Sequence, residues 1–244
     1  MRRKLDQRTL IFLGVLLFIS VVRPLMSGGV SYLVGSFIDT LYMLPAIIIA
    51  ISFHEFAHAK VADYWGDDTP AREGRLTVDP RAHVDLAGII CLIFIHFGWG
   101  KPVRINPQRF RDRRKGLITV SLAGVTMNLI LAFAFGGILK LLITFAPAFL
   151  GSKIGGILAS MILEVIYINV SLMLFNLLPV PPLDGFNFLS ELFKLYYTRF
   201  YAFVRNNSMW ILMIMIFFNI PSMLLSGPMA AIVHFILSTV YGIY

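Results

Sequence analysis

Ala46-Ile47-Ile48-Ile49-Ala50-Ile51-Ser52-Phe53-His54-Glu55-Phe56-Ala57-His58 stands near the end of an apolar run from Leu41 to Val61. A helix of about 20 such residues crosses the hydrocarbon core of a bilayer. Residues four apart on a helix differ by ~40° in azimuth and one turn in height. His54 and His58 therefore leave one face at a spacing that lets two imidazoles grip one ion, which is the His-Glu-x-x-His zinc motif. Glu55 is placed to act on a water held at such an ion, as a general base that later returns the proton to a leaving amine. The implied chemistry is amide hydrolysis. With 5 histidines in 244 residues, chance gives this motif roughly two times in a thousand. Ionisable groups at membrane depth are costly enough to be functional by default.

Composition sets the class of protein. Hydrophobic residues make up 58% of the chain and charged residues 14%, against about 45–50% and 25% in a soluble domain. The apolar residues come in long runs, so the fold is read as an all-α polytopic membrane protein with about six transmembrane helices, one membrane-embedded domain over residues 1–244. The net charge of +8 falls mostly between apolar runs and not along one periodic face. That is the pattern of the positive-inside rule, and it argues against a nucleic-acid partner. The single cysteine, Cys91, excludes an internal disulfide and any cysteine-rich metal site.

In chain order, the basic start Met1-Arg2-Arg3-Lys4 precedes an apolar run over about Leu10–Met26, expected to be a first span with its N-terminus in the cytoplasm. Asp39 and Pro45 interrupt the next run, which places the second span at about Leu41–Asp63. Residues 64–85 are polar and turn-rich, and Gly74–Pro80 alternates like a short strand. Leu86–Trp99 is apolar but short for a span and reads as a re-entrant segment. The basic loop from Lys101 to Lys115 fits a cytosolic segment held at the anionic leaflet. Long helices are expected over about Leu117–Phe149 and Ile157–Leu178, an interfacial helix over Phe186–Asn207, and two last spans over Met209–Leu225 and Met229–Tyr244. Asn128 lies inside the first of the long helices, where an amide serves packing as readily as catalysis. His83, His96 and His234 each lack a partner at ligand spacing.

The second informative stretch is Asn176-Leu177-Leu178-Pro179-Val180-Pro181-Pro182-Leu183-Asp184-Gly185. Three prolines cannot continue a helix and force an extended path. The break comes as this helix approaches the membrane face that carries His54 and His58, so Asp184 is presented on non-helical backbone at a helix end. A plain loop aspartate after a proline turn is the alternative reading, and the histidine pair weighs against it. Two histidines, a carboxylate and an open water position form a catalytic zinc pattern.

Together these stretches resemble the site-2 protease family of intramembrane zinc metalloproteases. The resemblance rests on His54-Glu55-Phe56-Ala57-His58, on Gly74-Arg75-Leu76-Thr77 before Asp79-Pro80, and on Gly98-Trp99-Gly100-Lys101-Pro102-Val103. It extends to Ala123-Gly124 with Asn128 and to Asn176-Leu177-Leu178-Pro179 with Leu183-Asp184-Gly185. It covers about residues 41–190, the expected catalytic core, and a minimal form without an appended regulatory domain is expected. It implies that His54, His58 and Asp184 hold one Zn2+ per chain, that Glu55 activates water, and that Asn128 and Asn176 help seat the substrate or the developing oxyanion. Val125 and Phe186 depart from the family pattern at positions that shape helix packing and a loop, not the ligands.

The expected function is hydrolysis of peptide bonds in or near transmembrane segments of membrane-anchored substrate proteins, in a prokaryotic cell membrane, with the active site towards the cytoplasm. The rival from another class is a metal-ion or proton transporter using the same intramembrane His and Asp residues. Transport has no need of Glu55.

Overall fold

The computed structural model describes residues 22–95 and 98–243, together with Gly14 and Phe18. Apolar runs become helices because lipid offers backbone amides and carbonyls no water, so each segment must satisfy its own. Helix α1 spans Arg23–Tyr64 and is interrupted at Gly29, whose φ of 67° and ψ of −166° suit a residue without Cβ. Its outer part, Phe37–Tyr64, is long and apolar enough to cross a membrane. Pro45 sits inside the helix without ending it, so the break falls at Gly29 and not at Asp39 or Pro45. The expected span over about Leu10–Met26 lies mainly outside the described residues; from Arg23 onward it belongs to α1.

The expected strand over Gly74–Pro80 does not form. Gly74 turns with φ of 67°, and the Asp79-Pro80 pair starts a short helix over Pro80–His83 in which the Asp79 carboxylate caps the Arg81 N–H at 3.0 Å. A capping side chain followed by proline is a helix-start signal, and it outweighs the alternation before it. Helix α2, Leu86–Ile95, has only 10 residues, about 15 Å of rise or half a bilayer. The chain then returns: Gly100 pairs antiparallel with Val84, and Lys101 N–H donates to the His83 carbonyl at 2.7 Å. Gly88 permits the close return, since a Cβ there would lie 2.0 Å from the Trp99 carbonyl oxygen.

Helices α3, Arg113–Phe145, and α4, Lys153–Asn176, are capped at their starts by Asp112 and Ser152. They pack against α1 and against each other, and Ala132, Leu139, Ile162, Ile166 and Val170 form the core between α3 and α4. Lipid is as apolar as these side chains, so close packing and interhelical hydrogen bonds hold the bundle, not the expulsion of water. After the proline break come α5 (Asp184–Leu192), α6 (Arg199–Asn206), α7 (Ser208–Phe217) and α8 (Ile220–His234, continued to Val240).

Among the described residues, four helices are long and apolar enough to cross a membrane: Phe37–Tyr64, Arg113–Phe145, Lys153–Asn176 and Ile220–Val240. The count reaches five if α6 and α7, bent by 65°, act as one, against the six expected. The two last spans are corrected here. Asn219, left-handed at φ of 54°, ends the α7 segment, and Pro221 opens α8 from its first turn, where its missing N–H costs nothing. Residues 209–225 are apolar on average but not continuously helical.

Candidate metal centre

Helix α1 carries His54 and His58 on one face, both buried, with ring centroids 4.6 Å apart at 80°. Each ring is pinned through Nδ1 by α3. His58 Nδ1–H donates to the Val120 carbonyl at 2.7 Å, and His54 Nδ1–H donates to Asn128 Oδ1 at 2.7 Å. The orientation of the Asn128 amide is fixed in turn, because its NH2 group donates to the Ala50 carbonyl at 3.2 Å and to Asn169 Oδ1 at 2.8 Å. Asn169 donates its own NH2 to the Val165 carbonyl at 2.8 Å. With both protons committed at Nδ1, each Nε2 presents a lone pair.

Those lone pairs converge. His54 Nε2 and His58 Nε2 lie 3.0 Å apart, and Asp184 Oδ2 lies 3.1 and 3.2 Å from them. Asp184 arrives as the first residue of α5, directly after the turns through Leu177–Leu183 that the prolines impose. Its Oδ2 is buried without a hydrogen bond. Three lone-pair atoms at these distances repel unless a cation sits among them.

The donor set fits zinc. Two imidazole nitrogens and a carboxylate oxygen are its catalytic ligands, and a tetrahedron with bonds of ~2.0–2.1 Å has edges of ~3.3–3.4 Å, close to the triangle found. The space for an ion is kept by Gly124 of α3. A Cβ there would lie 2.4 Å from His54 Cε1 and 2.5 Å from both Nε2 atoms.

Glu55 lies half-buried on the wall of a cavity of about 630 Å³ that also takes in His54, His58 and Asp184. The returning segment holds it: Val103 N–H donates to Glu55 Oε2 at 2.9 Å. Asn176 lines the same cavity and donates to the Leu172 carbonyl of its own helix at 3.0 Å. Asn128 differs from expectation. It is fully buried, with its Oδ1 and NH2 committed to His54, Ala50 and Asn169, so it fixes the His54 ring and has no group left to offer a substrate. The sequence reading passed over Asn169, although a lone amide in the middle of an apolar helix was its signal. Nor did it find the Val120 carbonyl and the Val103 N–H, which no side chain announces.

No family model and no solved structure matches the chain. It is 39% identical over 151 residues to the Bacillus subtilis protein named "Putative zinc metalloprotease YwhC", covering 62% of this chain and 68% of that one. It is 30% identical over 189 residues to the Mycobacterium tuberculosis protein named "Putative zinc metalloprotease Rip2", covering 72% of this chain and 67% of that one. The His54, His58 and Asp184 cluster is the metal chemistry those names call for, and by these relationships the chain belongs to the zinc metalloprotease family of YwhC and Rip2.

Proposed function

We propose that this protein is an intramembrane protease of the site-2 type, cutting membrane-anchored proteins in or near their transmembrane segments. The observation that carries the reading is the closure of His54, His58 and Asp184 into one triangle at the end of a membrane-crossing helix, with Glu55 on the same cavity wall. The basic segment lies at that end, where Arg111 N–H donates to the Trp65 carbonyl and Asn106 N–H to Asp67. The positive-inside rule then puts the site towards the cytoplasm.

His54, His58 and Asp184 would hold one zinc ion, which when bound activates water and polarises the scissile carbonyl. Glu55 takes the proton from the attacking water and delivers it to the amide nitrogen as the C–N bond breaks. Its anchor on Val103 keeps the carboxylate at the cavity wall. Asn187 and Asn176 give the wall amide groups that can bond an unwound substrate backbone. Unwinding is required because a helical amide is shielded by its own hydrogen bonds. Pro102, at the start of the basic loop, and Pro182, from the proline break, line the cavity as the walls of a water route.

The test is co-expression with tagged single-span proteins. The intact protein is expected to yield a shortened fragment and Glu55→Gln none, although the variant keeps its zinc. Cleavage that persists in Glu55→Gln would sink the mechanism.

A further inference from the structure

We infer that Asn169 is a positioning residue of the metal centre, acting on His54 through Asn128. The inference rests on the reading of His54, His58 and Asp184 as the metal site.

Asn169 sits mid-way along α4 with its side chain fully buried. Its hydrogen bonds are directional. Its NH2 can only donate to the Val165 carbonyl at 2.8 Å, so its Oδ1 must face α3, where it accepts from Asn128 Nδ2 at 2.8 Å. That acceptor, together with the Ala50 carbonyl at 3.2 Å, decides which way the Asn128 amide lies. With Oδ1 of Asn169 in place, the NH2 of Asn128 points to Asn169 and Ala50, and its Oδ1 points to His54. A reversed amide would set NH2 against His54 Nδ1, which could then only accept. The ring proton would move to Nε2 and the lone pair that faces Asp184 would be lost. Asn169 thus helps fix the tautomer of a ligand it does not touch.

The alternative is an interhelical hydrogen bond that serves packing alone, worth on the order of 1 kcal/mol in a membrane bundle. The two differ in what they couple to. A packing bond acts on stability and leaves zinc affinity unchanged. A positioning bond acts on metal affinity and only through Asn128.

The experiment is a double-mutant cycle on the full-length protein in detergent, with zinc affinity read by chelator competition and stability by thermal unfolding. Groups that orient a metal-bound histidine are worth about 10- to 100-fold in affinity. Asn128→Ala is expected to fall in that range. Asn169→Leu, one step further out, is expected to lose roughly 3- to 10-fold. In the Asn128→Ala background, Asn169→Leu is expected to change zinc affinity by less than about twofold. Asn169→Ala gives the same comparison if the leucine variant does not yield folded protein. Zinc affinity within about twofold of the intact protein in the single variant overturns the proposal. So does a loss that persists undiminished without Asn128. An intact protein that binds no zinc would instead refute the reading of the metal site.

Discussion

Gly124→Ala tests whether the space between the two imidazoles is an ion site or an accident of packing. The added Cβ would lie 2.4–2.5 Å from His54 Cε1, His54 Nε2 and His58 Nε2, about 1 Å inside van der Waals contact. The rings cannot simply recede. His54 is bonded to Asn128 and His58 to Val120, and both partners belong to the helix that carries the new methyl group. A 1 Å separation takes each 2.7 Å bond to about 3.7 Å, beyond hydrogen-bond range. Losing one such anchor costs about 10- to 100-fold in metal affinity; losing both costs about 10²- to 10⁴-fold, or roughly 3–5.5 kcal/mol. Alanine is also the better helix former, so any penalty is steric. The assay is zinc per chain after purification, then affinity by chelator competition. Gly156→Ala is the control, because the nearest atom to its Cβ would be 4.0 Å away. Gly124→Ala protein that binds stoichiometric zinc within about threefold of the intact affinity would refute the placement of the ion.

Stripping the metal with a chelator should abolish cleavage, and added zinc should restore it. Magnesium, which favours all-oxygen ligand sets, should not. The first turn of α5 should exchange its amide hydrogens faster after zinc removal, while residues 50–58 of α1 change little. Asp184 Oδ2 has no other partner, whereas His54 and His58 keep their bonds to α3; equal changes in both segments would contradict this. Asp67→Ala should lower the melting temperature in detergent by an amount equivalent to about 2–4 kcal/mol. The buried Asp67 carboxylate accepts from the N–H groups of Thr69 and Asn106 at 3.0 and 2.6 Å, and its loss orphans donors that tie the basic loop to the end of α1.

Side-chain patterns were legible in the sequence where their spacing carries the geometry. The i, i+4 histidines share a face as their spacing predicts, and Asp184 follows the break at prolines 179, 181 and 182, but it opens α5 as its first helical residue instead of standing on non-helical backbone. Helices α3 and α4 begin and end within about four residues of the apolar runs, since hydropathy and helix length measure the same bilayer. The final spans were not legible, because hydropathy averages over Asn219 while backbone conformation turns on that one residue. The strand over Gly74–Pro80 failed for the complementary reason. Alternation needs a partner strand, and the local cap at Asp79 does not. The Val120 carbonyl and the Val103 N–H lay beyond sequence altogether, as every residue but proline carries both groups.

The relation between α1 and α3 explains why so few residues suffice to build the centre. Val120, Gly124 and Asn128 are spaced by four, so they form one stripe along α3: acceptor, gap, acceptor. His58 and His54 are spaced by four on α1, and His58 meets Val120 while His54 meets Asn128. The helices therefore run antiparallel in a register where each ring has an acceptor and the gap falls between them. A slip of one turn, about 5.4 Å, would place one ring against Gly124 and leave its Nδ1–H without the acceptor it now has. Such a loss is costly inside a membrane bundle. The hydrogen bonds that orient the two proposed ligands are thus the same ones that set the helix register, so forming the proposed metal site and packing the bundle correctly depend on the same atoms.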